Sequence, residues 1–329
     1  MHIGITYDLR DDYLKEGYGI EETAEFDRID TIDGIDGALA ALGHTTDRIG
    51  NAKQLVRRLA AGHSWDLVFN IAEGLYGVGR EALVPALLDA YRIPYTFSDP
   101  LVLALTLHKG MTKTIVRAAG IPTADFAVIE DVSSLHTLSL PYPLFAKPVA
   151  EGTGKGISDT SKVDTPEQLS VLCTHLMHEF HQPVLVETYL PGREFTAGIV
   201  GTDREAGVIG VMEVLFRKHH EGEKIYSYHT KANYEEIVDY VVPEREAVEA
   251  CSAVALASWR ALGCRDGGRV DIRMDSAGRP NFIEVNPLAG LNPVHSDLPI
   301  LCRLTGIDYN DLIARILASA IKRTDRGSS

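Results

Sequence analysis

The chain has 329 residues, 45% of them hydrophobic and 24% charged, which is enough for two or three globular units and too much for one small core. A formal net charge of −14 with no Lys/Arg-rich cluster opposes non-specific binding to nucleic acid or to an anionic membrane. The start MHIGITYD reads as a strand rather than a signal peptide, no apolar run is long enough to span a bilayer, and Cys173, Cys251, Cys264 and Cys302 form no C-x-x-C pair, so a cytoplasmic protein with reduced thiols is expected.

The first hundred residues alternate strand and helix patterns. HIGITYD is a strand, TIDGIDGALAALGH a helix ending near Gly43, DLVFNIA a strand, EALVPALLDAYR a helix and IPYTFS a short strand, which predicts a βαβ-type parallel sheet. EGLYGVGRE carries glycines between a strand and a helix, but the spacing G-x-x-G-x-G is not the dinucleotide pattern and excludes an NAD reading. Small residues near a helix N-terminus still suit close approach of an anionic substrate. LTLHKGMTKTIVRAAGIP is one helix stopped by Gly120 and Pro122.

Strands then follow closely: DFAVIE, YPLFAKPVA and GISDTSKV. The helix TPEQLSVLCTHLMHEF has Thr165 as its N-cap and Pro166 at its first position. PVLVETYL, REFTAGIVG and GVIGVMEVLFR are strands, and His219 to Glu236 reads as a long loop without a period, of the kind that is usually functional. PEREAVEACSAVALASWRALG is a helix, and YNDLIARILASAIKR closes the chain. No internal repeat is present.

Two stretches carry candidate chemistry. In KPVAEGTGKGIS, Gly152, Gly154 and Gly156 lie between two strand patterns, which excludes a P-loop. A glycine-rich loop between strands can cover a triphosphate with backbone N–H groups, with Lys147 neutralising phosphate oxygens. A plain glycine hairpin with an exposed lysine fits these residues as well. RVDIRMDSAGRPNFIEVNP, Arg269 to Pro287, alternates as a hairpin with Ser276 to Arg279 as its loop. That loop places Asp271 opposite Glu284 and Arg269 opposite Asn286 on one face, with Val270, Ile272, Ile283 and Val285 on the other. Facing carboxylates suit a hard divalent cation such as Mg²⁺. A solvated face countered by Arg269 and Arg273 remains open from the residues alone.

Together these stretches, over nearly the whole chain, resemble the ATP-grasp enzymes and within them the D-alanine–D-alanine ligase family. The fold implied is α/β, with α+β character in the ATP-grasp part: a Rossmann-like parallel-sheet domain (1–100), a central ATP-grasp lobe with the glycine-rich loop (101–186) and a C-terminal lobe with metal site and lid loop (187–329). GGRVDIRMDSAGRPNFIEVNPLAG resembles the family's metal segment. It implies that Asp271, Glu284 and Asn286 hold two Mg²⁺ ions, Mn²⁺ being able to replace them. Arg269 and the Gly290 backbone then face the transition-state oxyanion. FAKPVAEGTGKGIS resembles the phosphate loop, which puts Lys147, Glu151, Gly152, Gly154 and Gly156 at the ATP, and Lys109 matches an earlier nucleotide lysine. VLVETYLPGREFT resembles the adenine and ribose strand, with Glu187, Tyr189 and Leu190 at the base and Glu194 at the ribose. IYSYHTKANY resembles the mobile loop whose lysine, here Lys231, reaches the γ-phosphate. REALVPALLDAYRIPYTFSDP resembles the end of the N-terminal domain, with Glu81 at an acidic substrate position.

The implied reaction joins a carboxylate donor to an amine acceptor, both amino acids, through an acyl phosphate, and the implied assembly is a homodimer. Ser296 would cap the following helix, bind the acceptor carboxylate, or both. His295 reads as structural or solvated. Glu25 and Asp27 in TAEFDRID are candidates for the donor ammonium, against the blander reading of surface acids. The sequence departs from the family where a loop serine becomes Thr153, where the tyrosine after the lid lysine becomes Ala232, and where Gly290 and Ser296 are separated by LNPVH, one residue longer than usual. These departures lead us to expect a donor larger than alanine. A ligase of the same fold with a different nucleophile or a non-amino-acid substrate, and a nucleotide-binding regulator without turnover, are the competing readings.

Overall fold

The computed structural model describes residues 1–217 and 237–327. In chain order, β1 (His2–Thr6), α1 (Arg10–Lys15), α2 (Ile29–Ala41), β2 (Thr45–Gly50), α3 (Ala52–Ala60), β3 (Leu67–Asn70) and α4 (Leu83–Ala90) form the N-terminal part. Its three-stranded sheet is parallel, in the order β2-β1-β3. The strand β2 has no counterpart among the sequence expectations. It is an edge strand of TTDRIG with only its last two residues buried, so it lacks the apolar run of a central strand. IPYTFS, expected as a strand, contributes only an isolated bridge from Tyr95 to Val68.

One side of this sheet closes on α3 and α4, with Ile49 and Val68 packed among Leu55, Leu59, Val84 and Leu88, but the other side does not close within the N-terminal part. Ile3, Ile5, Phe69 and Phe97 pack into one buried cluster with Leu288, Leu298, Leu312, Ile313 and Ile316. The last four of those lie on α9 (Asp297–Leu304) and α10 (Tyr309–Gly327), which therefore complete the N-terminal layer. Asp266 fastens the same junction. Its buried carboxylate accepts the Phe97 N–H at 2.9 Å and pairs with Arg323 of α10 at 2.8 Å.

Two antiparallel sheets follow. One contains β4 (Phe126–Ile129), β5 (Leu144–Pro148), β6 (Lys162–Val163) and β7 (Val184–Thr188) in the order β4-β7-β5-β6, packed on α7 (Pro166–Phe180). The expected domain division after residue 186 falls inside β7, which pairs with both β4 and β5. The other contains β8 (Glu194–Val200), β9 (Gly207–Phe216), β10 (Val238–Val241), β11 (Gly267–Met274) and β12 (Pro280–Asn286) in the order β10-β9-β8-β11-β12. Its inner face buries Phe195, Ile272 and Phe282 against Trp259 of α8 (Arg245–Leu262).

Local chemistry sets the ends of these elements. Thr165 caps α7 in a capping box with Gln168, and Pro166 stands in the first turn. The expected single helix over LTLHKGMTKTIVRAAGIP is two helices, α5 (Pro100–Leu107) and α6 (Lys109–Ala118). His108 leaves helical geometry between them, and its ring Nδ1 accepts the Met111 N–H at 3.2 Å, capping α6. GISDTSKV is not a strand along its length. Its Ser158 and Ser161 form a capping box around a short 3-10 turn, leaving only Lys162 and Val163 to pair.

Candidate active site

The hairpin β11–β12 holds Arg269 opposite Asn286 and Asp271 opposite Glu284, as its alternation predicts. It reaches that register by a different route. Asp275 accepts the N–H groups of Ala277 and Arg279, each at 2.9 Å, and its own N–H meets the Arg279 carbonyl, so the loop is one residue shorter than expected. A bulge between Asp271 and Ile272 compensates. Phe282, not Ile283, therefore faces the core beside Ile272, and Ile283 turns to line a pocket.

Asp271 accepts the Thr196 hydroxyl at 2.9 Å and the Asn286 amide at 3.3 Å, and lies 3.5 Å from the Arg269 guanidinium. Arg269 also pairs with Asp297 at the start of α9. Glu284 lies 3.5 Å from Lys147 and 3.7 Å from Lys109. Both lysines are buried. Burial pulls the Lys109 ammonium below its ordinary value, only partly opposed by Glu284. For Lys147, burial acts in the same direction, but Glu187 and Glu284 outweigh it and hold the ammonium above its ordinary value. Lys109 stands at the first position of α6, where the helix dipole disfavours a cation. The break at His108 places it where its ammonium reaches the Glu151 carbonyl, at 2.5 Å.

A small pocket of about 90 Å³ lies between the two antiparallel sheets. Phe145, Ile157, Tyr189, Leu190 and Ile283 supply apolar walls, and Lys147, Glu187, Glu194 and Asp271 the polar ones. Phe145 and Tyr189 stack, and Arg273 bridges the Tyr189 hydroxyl at 3.2 Å and Glu194 at 3.3 Å. Thr188 lines the pocket with a buried hydroxyl that has no hydrogen-bond partner among the described residues. Glu187 is held below the usual carboxylate range despite its burial, because Lys113 at 2.8 Å and Lys147 at 3.6 Å counter it. Sequence reasoning missed Lys113. Its signal is helical spacing, one turn beyond Lys109 on the same face of α6.

A larger cavity of about 560 Å³ adjoins it. Arg269 and Glu284 line both spaces, so the two meet at the hairpin. The cavity also collects Glu25, Glu81, Glu151, Gly152, Thr153, Gly290 and Ser296 from segments far apart in sequence. The glycine loop between β5 and β6 bends through Thr153, Gly154 and Gly156 at positive φ, of which Thr153 at +54° is the non-glycine exception. Ser296 precedes α9 but does not cap it; its hydroxyl accepts the Asn292 N–H at 2.9 Å. A Cβ on Gly290 would come within 2.8 Å of that hydroxyl. His295 also lines the cavity. Lys231 and Ala232 lie outside the described residues, as do Tyr226, Tyr228 and Tyr234.

Glu25 and Asp27 are not the surface acids of the blander reading. Glu25 is largely buried and pairs with Arg80 at 2.9 Å. Burial pushes the Asp27 carboxyl up to about 8, with Asp8 adding to the rise against the Thr31 hydrogen bond. Glu81 is pushed up to about 7 by burial, with Arg80 opposing. Glu73, unremarked in the sequence, lines the same wall and is raised by burial and by the charges of Glu81 and Glu25. Among the described residues, no group of three or more His, Cys, Asp and Glu side chains is placed to hold a metal ion. The donor set on the hairpin is two carboxylates and the Asn286 amide, all hard oxygen ligands, which suits Mg²⁺.

The family model for the D-ala D-ala ligase C-terminus matches residues 115–318. The D-alanine–D-alanine ligase of Actinobacillus pleuropneumoniae serotype 5b is 31% identical over 85% of this chain and 88% of its own length. An uncharacterized protein, y4sG, of Sinorhizobium fredii is 32% identical over 78% of this chain and 75% of its own. Among solved structures, the Bacillus anthracis D-alanine–D-alanine ligase complexed with ATP superposes with a TM-score of 0.75 at 22% identity, covering 99% of each chain. The VanG D-Ala:D-Ser ligase of Enterococcus faecalis gives 0.73 at 18% identity, covering 97% of this chain and 99% of its own.

Proposed function

Because this chain belongs to the D-alanine–D-alanine ligase family, we propose that it is an ATP-dependent ligase that joins two amino acids through an amide bond. The observation that carries the reading is the meeting of the small pocket and the large cavity at Arg269 and Glu284. A nucleotide in the pocket would present its terminal phosphate to a carboxylate in the cavity.

The base seats between Phe145, Tyr189, Leu190 and Ile283, with Glu187 beside it and Glu194 at the ribose. Lys109, Lys147 and the backbone N–H groups of Gly154 and Gly156 meet the phosphates, at the loop whose root includes Glu151 and Gly152, the latter with its N–H held by Glu25. Asp271, Glu284 and Asn286 would hold two Mg²⁺ ions, or Mn²⁺ in their place, which supply charge neutralisation to the phosphate oxygens. The donor carboxylate attacks the γ-phosphorus and ADP leaves. The acceptor amine then attacks the acyl carbon and phosphate leaves. Arg269 and the Gly290 N–H donate to the oxyanion formed in that second step. Water must be kept from the acyl phosphate. Thr153 closes that side, and Lys231 is the lysine assigned to the γ-phosphate.

Glu81 is the acid we assign to a substrate ammonium, since it lines the cavity and its raised proton affinity is relieved by a cation. Ser296, across the cavity, is assigned to the acceptor carboxylate. We further propose that D-alanine is not the preferred donor, supported by Thr153 and Ala232 at positions where the family carries serine and tyrosine. A homodimer is proposed on the family resemblance and is checked by light scattering.

The deciding experiment is ADP release with Mg²⁺ and a panel of D- and L-amino acids. Turnover dependent on an amino acid supports the ligase. Nucleotide binding without turnover on any member would establish a regulator instead, and the highest kcat/KM for D-alanine would overturn the donor assignment.

A further inference from the structure

Both oxygens of Glu25 are engaged. Oε1 accepts the Gly152 N–H at 2.7 Å, and Oε2 accepts Arg80 Nη2 at 2.9 Å. Lys155 stands 3.9 Å from the first oxygen. Arg80 gives its other terminal nitrogen to the Ala150 carbonyl at 3.1 Å and is only 7% exposed. The side chain thus leaves the 3-10 turn Arg80–Ala82, on the N-terminal part, and grips the root of the glycine loop twice. It reaches Ala150 directly, and Gly152 through Glu25.

Independent geometry shows that the contact is built in. A Cβ at position 152 would lie 2.6 Å from Glu25 Oε1, so the carboxylate approaches this N–H because the residue is glycine. Gly74 has φ +71°, and a Cβ there would meet the Arg80 carbonyl at 2.6 Å, so the segment before the turn is also folded closely onto Arg80. The other side of the loop root is held separately. Gln182 accepts the Ala150 N–H at 2.7 Å and donates to Glu151 at 2.7 Å.

On the ligase reading above, we propose that Arg80 is a positioning residue for phosphoryl transfer. It acts through Glu25 to fix the glycine loop against the N-terminal sheet. In doing so it holds in place a carboxylate that lines the large cavity.

Without Arg80, Glu25 would be a buried acid facing Lys155 alone, with Glu73 and Glu81 nearby. Burial by itself raises such a carboxyl; Arg80 and Lys155 outweigh it here and keep Glu25 below its ordinary value. An uncompensated carboxylate would take up a proton or swing away, and the Gly152 N–H would lose its acceptor. The loop that presents N–H groups to phosphate would then keep only the Gln182 and Lys109 contacts at its root.

The test is a double-mutant cycle read on ATP binding, measured without amino acid, and on ADP release. Arg80→Met and Glu25→Gln are each expected to weaken ATP binding about tenfold, the size of one charge-assisted hydrogen bond. The double variant should be no weaker than the worse single, since both cut one relay. Arg80→Lys, which keeps the charge but cannot grip both partners, should recover part of the loss. Gly152→Ala, which leaves Arg80 intact and displaces Glu25, should reproduce the weakening even if Arg80→Met does not fold. Additive losses in the double variant would overturn the proposal. So would Glu25→Gln that raises only the amino-acid KM, with ATP affinity unchanged. A wild-type protein that binds ATP but turns over no amino acid would defeat the ligase reading, while the binding cycle would still decide the role of Arg80.

Discussion

The hairpin β11–β12 and the N-terminal wall of the large cavity both present carboxylates to the same space, and they hold them in opposite ways. On the hairpin, Asp271 and Glu284 are compensated by Arg269, Lys109 and Lys147 within 3.7 Å. On the wall, only for Glu25 do cations outweigh burial; Asp27, Glu73 and Glu81 sit where burial raises their proton affinity, with Arg80 only partly opposing it for Glu73 and Glu81. The first arrangement surrounds its acids with cations and suits divalent metal and phosphate. The second leaves acids near neutrality, ready to ionise when a cationic group arrives.

Removing charge from the hairpin gives the largest expected effect. Asp271→Asn or Glu284→Gln lowers kcat for ADP release by about 10³-fold, as loss of a group that stabilises developing charge does. The melting transition should remain cooperative, because the hairpin register rests on Val270, Ile272 and Phe282. Retained turnover in the double variant would show that the compensated pair is structural and would erase the contrast with the wall.

The bulge supplies the next effect. Phe282→Ala should destabilise the fold by about 3–5 kcal/mol, read from denaturant unfolding, because a fully buried ring leaves a cavity against Trp259. A cost below 1 kcal/mol would mean that Ile283, not Phe282, fills the core, as strict alternation had it.

The wall is sharpened by pH. Glu81 ionises at about 7, so below that value it is neutral and above it negative. An ammonium substrate favours the ionised form, so kcat/KM for the amino acid should rise about tenfold from pH 6 to 7.5 and then level off. Glu81→Gln should flatten the profile. The same shift has a stability sign: the folded state holds the proton more tightly than the unfolded state, so stability falls as pH rises from the ordinary carboxyl value through about 7. Glu81→Gln should lessen that fall in a melting series. A wild-type profile that is flat across this range would place the ammonium elsewhere.

Ile283→Ala carries the smallest effect. It removes apolar contact from the small pocket, and KM for ATP should rise about fivefold with kcat nearly unchanged. A loss of stability comparable with that of Phe282→Ala, without a KM change, would reverse the assignment of the two neighbours.

Much of the hairpin was legible because its information is local. Alternation placed Arg269, Asp271, Glu284 and Asn286 on one face, since side-chain period is a backbone property of adjacent segments, and their pairing is met although the loop is shorter than expected. The cap of α7 was legible for the same reason: Thr165 satisfies a backbone N–H of the first turn, and Pro166 stands where no N–H is needed. The compensating bulge was not, because a loop shortened by the Asp275 side chain and one extra residue, Ile283, three positions after the start of β12 leave no mark on the hydrophobic pattern that distinguishes Phe282 from Ile283.

The wall was decided by tertiary structure alone. Glu25, Glu73, Glu81 and Gly152 have no sequence relation to one another, and what each carboxyl does depends on which cation the fold brings to it. In TAEFDRID, Glu25 and Asp27 look alike. Folding gives Glu25 the Arg80 guanidinium and the Gly152 N–H, and leaves Asp27 to burial and like charge. The strand and helix patterns, the caps and the facing hairpin residues were fixed by short-range periodicity and hydrogen bonding. Charge state, cavity and loop anchoring were fixed by long-range approach, because a proton affinity is set by dielectric and neighbouring charge within a few ångströms, whatever the distance along the chain.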